Sequence, residues 1–228
     1  MIDKVTSIEK AIDVVKSGDS IMVGGFGIQG AALSLLRELS RRSIYNLTTI
    51  SEDAGFVFGA ISQSVPQLLD NGQISRMCVS FLGGNQTAHD QIDSGKLELD
   101  LIPQGTLAER IRIGGSGIGG FYTPTGVGTV VAEGKETKII DGKEYLLELP
   151  LRANVAFIKA YKADHMGNAF FRYTTMNFNP LMAMAADVVI VEAEKIVKTG
   201  EIEPDHVHLP NVFVDYVVQS EGVKYRDR

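Results

Sequence analysis

Apolar positions along this chain recur with two periods. Ile8, Ala11, Ile12 and Val15 fall at helical spacing behind Thr6-Ser7-Ile8-Glu9, which reads as a capping box with Thr6 as the cap, and Gly18 closes the helix. Ser20–Val23 is a short apolar strand running into glycines. A second helix is expected over 31–42, with Leu33, Leu36 and Leu39 on one side. Strands over 47–50, 74–81 and 97–102 then alternate with helices over 62–69, 86–94 and 106–113. Strands and helices alternating at these lengths mean βαβ units on a parallel sheet.

The pattern changes after Gly126. Lys138-Ile139-Ile140 and residues 144–149 flank Asp141-Gly142, where both central turn positions favour a positive φ, so a hairpin is expected. Strands return over 155–159, 187–192 and 212–218. No Pro/Gly/Ser linker divides the chain. The expected fold is α/β, an open and mostly parallel sheet with flanking helices. It is expected as one domain over 1–228, with a β-hairpin excursion at about 127–150.

Composition narrows the function. A hydrophobic share of 44% and a charged share of 22% exclude disorder and fibre. The net charge of −6 argues against a nucleic-acid surface. The single cysteine, Cys78, excludes a disulfide framework and fits a reducing compartment. The N-terminus has mixed charge and no apolar core of a signal peptide, and apolar stretches such as 188–191 are far too short to span a bilayer. These features read as a soluble cytoplasmic protein. Glycine departs from average: 24 residues of 228, with four in 24–30 and eight in 105–128.

Gly25-Phe26-Gly27-Ile28-Gln29-Gly30 spells G-x-G-x-x-G between a strand and a helix, and Glu52 stands where a ribose-binding acid would sit. Backbone amides and a helix N-terminus could take a pyrophosphate there. An NAD-dependent oxidoreductase is therefore one reading, and close helix–strand packing by small residues is the plainer one. The second glycine cluster has no role in the dinucleotide reading. Other signals are weak. His206 and His208 beside Asp205 lack further metal ligands at short range, His89 and His165 are isolated, and 164–168 reads as a turn. No metal site is expected. Residues 195–198 and 224–228 read as solvated charged faces.

Four longer motifs carry a resemblance. They are Asp19-Ser20-Ile21-Met22-Val23-Gly24-Gly25-Phe26-Gly27-Ile28-Gln29-Gly30; Pro103-Gln104-Gly105-Thr106-Leu107-Ala108-Glu109-Arg110-Ile111-Arg112; Gly119-Gly120-Phe121-Tyr122-Thr123-Pro124-Thr125-Gly126-Val127-Gly128-Thr129; and Asn177-Phe178-Asn179-Pro180. In this order, over about 5–219, the chain resembles the α (A) subunit of family I CoA-transferases, of the type that takes acetate, butyrate, acetoacetate or other 3-oxoacids. The resemblance implies CoA and acyl-CoA as substrate, with no permanently bound cofactor. It also implies a β-subunit partner, in an α2β2 or higher assembly, that carries the nucleophilic glutamate. It places no catalytic residue in this chain. Glu52, in Ser51-Glu52-Asp53-Ala54-Gly55, is a candidate second nucleophile, against the favoured reading of a polar residue at a strand end.

By the same resemblance Gly24, Gly25, Phe26, Gly27, Ile28, Gln29 and Gly30 contact CoA, while Gln104, Glu52, Asp53 and Phe81 border the acyl or carboxylate pocket. The 123–129 loop borders either the site or the contact with the partner. Two departures stand out. Ala32 replaces a usual proline, and Glu52-Asp53 replaces Asn-Asn or Asn-Asp, which bears on the acceptor acid. A third reading is a non-catalytic module that binds acyl-CoA or a sugar phosphate.

Overall fold

The computed structural model describes residues 2–55, 57–58, 61–62 and 65–222. The chain begins with α1 (Ile8–Ile12), β1 (Ser20–Val23), α2 (Leu33–Ser40) and β2 (Leu47–Ile50). A two-residue pair, β3 (Val57–Phe58) and β4 (Ile61–Ser62), precedes α3 (Pro66–Asp70), β5 (Ile74–Val79), α4 (Gln86–Asp93), β6 (Glu98–Leu101) and α5 (Gln104–Ser116). Next come β7 (Phe121–Thr123), β8 (Thr137–Ile140) and β9 (Lys143–Glu148). The chain then forms β10 (Ala153–Asp164), β11 (Ala169–Phe170), α6 (Asn179–Met184), β12 (Ala186–Val197) and β13 (Tyr216–Gln219).

The main sheet has the order β13-β12-β10-β1-β2-β5-β6, and every neighbouring pair along it is parallel. Only β11, paired with β10, runs antiparallel to its neighbour there. The chain starts at β1, builds outward through β2, β5 and β6, and returns to β10 on the other side of β1. The loops leaving β1 and β10 therefore diverge, and a crevice at the carboxyl ends of such strands is where α/β sheets place their sites. Helices cover both faces. Ile12, Leu35, Leu36, Leu39 and Leu68 pack on one side with Ile21 and Phe157; Leu107, Ile111 and Met182 pack on the other with Met22 and Ile158.

Several local expectations shift. The cap of α1 is Ser7, whose hydroxyl accepts the Lys10 amide, rather than Thr6, and the helix stops at Ile12, before Gly18. In α2 it is Leu35 that joins Leu36 and Leu39 in the core. Leu33 is half-buried, because it opens the helix beside the strand ends. The third helix begins at Pro66, and the start of the expected 62–69 span partly lies outside the described residues. The last strand starts at Tyr216, after a 3₁₀ turn over Asn211–Phe213. The 224–228 segment lies outside the described residues.

The second glycine cluster has a packing cause in part. Gly114 and Gly115 lie inside α5 rather than beyond it. A Cβ on Gly114 would meet the Leu151 carbonyl oxygen at 2.2 Å, and one on Gly115 would meet Met184 Cβ at 2.7 Å. These glycines let α5 approach β10's lead-in and α6, an element short enough to escape a periodicity search. The hairpin forms as expected, with Asp141 at φ 49° and Gly142 at φ 77°, and β7 joins it as a third strand.

Candidate active site

Because the sheet is parallel, β1, β2, β5 and β6 end on one edge. Four loops leave that edge: the glycine loop 24–30, Glu52-Asp53, Ser80-Phe81, and Pro103-Gln104 at the start of α5. Residues that are 20 to 80 positions apart in the chain thus become neighbours.

Glu52 is buried at the end of β2. Gln104 donates its Nε2 to Glu52 Oε1 at 2.9 Å, and Ser80 Oγ lies 3.1 Å from the same oxygen and 2.8 Å from the Glu52 carbonyl. Burial raises the Glu52 pKa most, and the Asp53 carboxylate adds to the rise through a shared hydrogen bond and its charge. Donation from Gln104 and Ser80 opposes it in part. Asp53, also buried, points both oxygens at backbone: Oδ2 accepts from the Gly27 amide at 2.6 Å and Oδ1 from the Gly55 amide at 2.6 Å. Asp53 also pairs with Phe81 through its backbone, which sets the Phe81 ring, 52% exposed, beside the acid pair. The structure so gathers Glu52, Asp53, Gln104, Phe81 and the glycine loop into one constellation.

The glycine loop is a tight turn in which Phe26 and Gln29 exchange both backbone hydrogen bonds, at 3.0 and 3.1 Å. Its Gly24 amide donates to Phe157 and its Gly27 amide to Asp53. The amides of Gly25, Ile28 and Gly30 donate to no acceptor among the described residues. Phe26 is half exposed beside them. Between the loop and Glu52-Asp53 lies a cavity of about 10 Å³, room for a single water. A larger cleft of about 440 Å³ opens on the other side of the loop, along Ile28, Gln29, Lys159, Glu192 and Ser220.

That cleft corrects the dinucleotide reading. The N-terminal amides of α2 are not free: Glu192 Oε2 accepts from Ser34 N at 2.8 Å and Leu35 N at 3.2 Å. Its other oxygen accepts from Lys159 Nζ at 2.8 Å, Ser220 Oγ at 2.6 Å and Ser34 Oγ at 2.9 Å. A buried carboxylate already neutralises the helix end that a pyrophosphate would need. Glu52, held by Gln104 and Ser80, is likewise not presented to a ribose.

Sequence reasoning missed Ser80, Lys159 and Glu192. No motif marks them, and only the strand order brings Glu192 to the start of α2. The histidines take local partners. His208 Nδ1 accepts from the Phe171 amide, the His206 and His208 rings pack on Phe170, His89 meets the Gly83 carbonyl and His165 meets Asp3. Among the described residues no three His, Cys, Asp or Glu side chains converge as metal ligands, and no helix is long and apolar enough to cross a membrane.

Comparison with known proteins places this geometry. Residues 5–220 match the Coenzyme A transferase family. The chain is 50% identical over 206 residues to the A-type subunit of the succinyl-CoA:3-ketoacid coenzyme A transferase of Xanthomonas campestris, covering 90% of this chain and 83% of that one. It is 42% identical over 221 residues to the α subunit of the acetate CoA-transferase of Escherichia coli, covering 97% and 99%. Among solved structures, an acyl-CoA transferase from E. coli O157:H7 in its thioester complex with CoA superposes with a TM-score of 0.85 at 23% identity. That match covers 96% of this chain and 47% of the other, so this chain spans about half of that longer protein. The match over residues 5–220 and these identities over nearly the whole chain show that the chain belongs to the coenzyme A transferase family.

Proposed function

We propose that this chain is the α subunit of a heteromeric CoA-transferase. It moves CoA between a short-chain acyl-CoA and a carboxylic acid such as acetate, butyrate, acetoacetate or another 3-oxoacid. Its relatives are named as the A-type or α subunits of their enzymes, which supports a β-subunit partner of similar size, in an α2β2 or higher assembly. We read the protein as cytoplasmic, working as one domain over 1–228 with the 127–150 excursion, and with CoA as substrate and no resident cofactor.

The observation that carries this reading is the set of glycine-loop amides with no acceptor among the described residues, next to the Glu52-Asp53 pair that Gln104 and Phe81 contact. In the reaction a glutamate carboxylate of the β chain attacks the acyl carbon of acyl-CoA, and the CoA thiolate leaves. The thiolate then attacks the glutamyl carbonyl of the resulting anhydride, releasing the first acid and forming a glutamyl-CoA thioester. The acceptor acid reverses these steps. Covalent catalysis thereby divides one difficult exchange into easier ones. The amides of Gly25, Ile28 and Gly30 hold the CoA moiety through these steps as fixed donors, binding ground state and transition state alike.

Gln104 spends one N–H on Glu52 and keeps a second for a substrate carboxylate. Phe26 and Phe81 offer apolar walls for a short acyl chain. Glu52, hydrogen-bonded and with a raised pKa, serves as the anchor of Gln104 rather than as a nucleophile.

The test is to co-express the chain with its β partner and assay CoA transfer from acetyl-CoA and butyryl-CoA to a panel of acids. Borohydride-sensitive labelling by acyl-CoA is expected on the β chain. Labelling of this chain at Glu52 would overturn the assignment of roles.

A further inference from the structure

We propose that Asn179 is the positioning residue that shapes the glycine loop for acyl-CoA; this rests on the reading that the loop contacts acyl-CoA. Asn179 is fully buried at the first position of α6. Its Nδ2 donates to the Gly30 carbonyl at 3.0 Å and to the Thr175 carbonyl at 2.9 Å, and its Oδ1 accepts from the Lys159 amide at 3.0 Å. The carboxamide thus needs both its donor and its acceptor. Aspartate cannot donate and leucine can do neither.

The same group explains two loop glycines. A Cβ on Gly24 would lie 2.0 Å from Asn179 Oδ1, and one on Gly30 would lie 3.0 Å from Asn179 Nδ2. Both ends of the 24–30 loop therefore rest against one carboxamide. Asn177 adds a further tie by donating Nδ2 to the Gln29 carbonyl at 2.9 Å. The segment that presents these amides is itself strained. Tyr173 stands at φ 55° and Asn177 at φ 21°, conformations that side chains other than glycine adopt at a cost. Strain beside a clamp of this kind holds only where surrounding contacts over-determine the backbone, and here the Asn177 contact runs to the glycine loop and those of Asn179 to the loop and to Lys159 on β10. With the loop ends fixed by Asn179 and its middle by Asp53, the amides of Gly25, Ile28 and Gly30 are set before substrate arrives.

The experiment uses the assembled enzyme with its β partner and compares wild type, Asn179→Ala, Asn179→Asp, Gly24→Ala and the Gly24→Ala/Asn179→Ala double variant. Asn179→Ala is expected to raise KM for acyl-CoA by about 100-fold, as misplaced positioning groups do, with kcat at saturating acyl-CoA changing far less. Asn179→Asp is not expected to rescue it. Gly24→Ala alone loses thermal stability because its methyl collides with the carboxamide. The double variant melts no lower than Asn179→Ala alone, because the methyl fills the vacated space, and it keeps the raised KM.

Amide hydrogen exchange at Phe26, Gly27 and Gln29 should quicken in Asn179→Ala and in the double variant. Unchanged exchange with a wild-type KM in Asn179→Ala overturns the proposal, and so does a double variant in which KM returns to the wild-type value. If the wild-type pair transfers CoA from no acyl-CoA, the functional reading fails on its own, and the exchange rates alone decide whether Asn179 sets the loop.

Discussion

Gln104 at the first position of α5 donates to buried Glu52 at the end of β2 across 2.9 Å, over a sequence separation of 52 residues. This bond decides both what Glu52 can do and where the second Gln104 N–H points. It also couples the site to pH. The folded-state pKa of Glu52 is raised above the ordinary glutamate value of 4.5. Between the two values the unfolded chain has lost the proton and the folded chain keeps it. Ionising Glu52 therefore costs stability as pH rises, and the cost is absent below the unfolded pKa. Glu52→Gln removes this slope. Urea midpoints of wild type and variant should show the variant gaining on wild type as pH rises above 4.5. A difference that stays constant with pH would contradict the sign.

Asp53 is the middle anchor of the glycine loop. Both of its oxygens accept from backbone amides, those of Gly27 and Gly55. In Asp53→Asn one acceptor becomes a donor facing an N–H group. The expected loss is about 1–3 kcal/mol by denaturant unfolding, the usual cost of a buried group losing its partner. A raised KM for acyl-CoA should accompany it in the assay with the β partner.

Lys159 and Glu192 form a buried ion pair at 2.8 Å. Lys159→Met removes the cation beside Glu192 but leaves its bonds to Ser34, Leu35 and Ser220, and the expected destabilisation is about 1–3 kcal/mol. Adding Glu192→Gln should return part of it, since an amide costs less to bury than a lone charge. Thermal denaturation of the single and double variants measures the difference.

Gly114 sits where α5 meets the backbone at Leu151, with no room for a methyl group. Gly114→Ala should cost about 1–3 kcal/mol through overpacking. Gly119→Ala, where nothing lies within 4 Å of the added atom, serves as the control and should leave the melting midpoint nearly unchanged.

Cys78 is buried in β5, and burial together with the Asp100 carboxylate pushes its thiol pKa up to about 12. The thiolate, the reactive form, is scarce at neutral pH. Native protein should resist alkylation by iodoacetamide and become fully labelled in urea, as mass spectrometry would show.

Much of the architecture is legible along the chain because hydrophobic period is a local property. The strands Ser20–Val23 and Leu47–Ile50 and the Asp141-Gly142 hairpin follow from spacing and turn chemistry alone. The helix α5 is read too short because Gly114-Gly115 resembles a break, and only the neighbouring Leu151 carbonyl explains those glycines. The strand β12 is read at half its length because its last residues run past the core that gives it a hydrophobic pattern.

The candidate site divides the same way. Glu52, Asp53, Phe81, Gln104 and the glycine loop are visible as separate signals, and the four long motifs carry the family. Ser80, Lys159 and Glu192 are silent, since each is an ordinary residue until the fold gives it a partner. The sequence by itself determined the α/β class, the family and the residue types at the strand ends, because these depend on periodicity and on motifs read in order. The tertiary structure alone decided which of those residues meet. Hydrogen bonds act over about 3 Å, and only the parallel sheet, with β10 returning beside β1, brings such distant positions that close. The same closure seats Glu192 on the end of α2, and so a glycine pattern that spells a dinucleotide site lacks the free helix end that such a site requires.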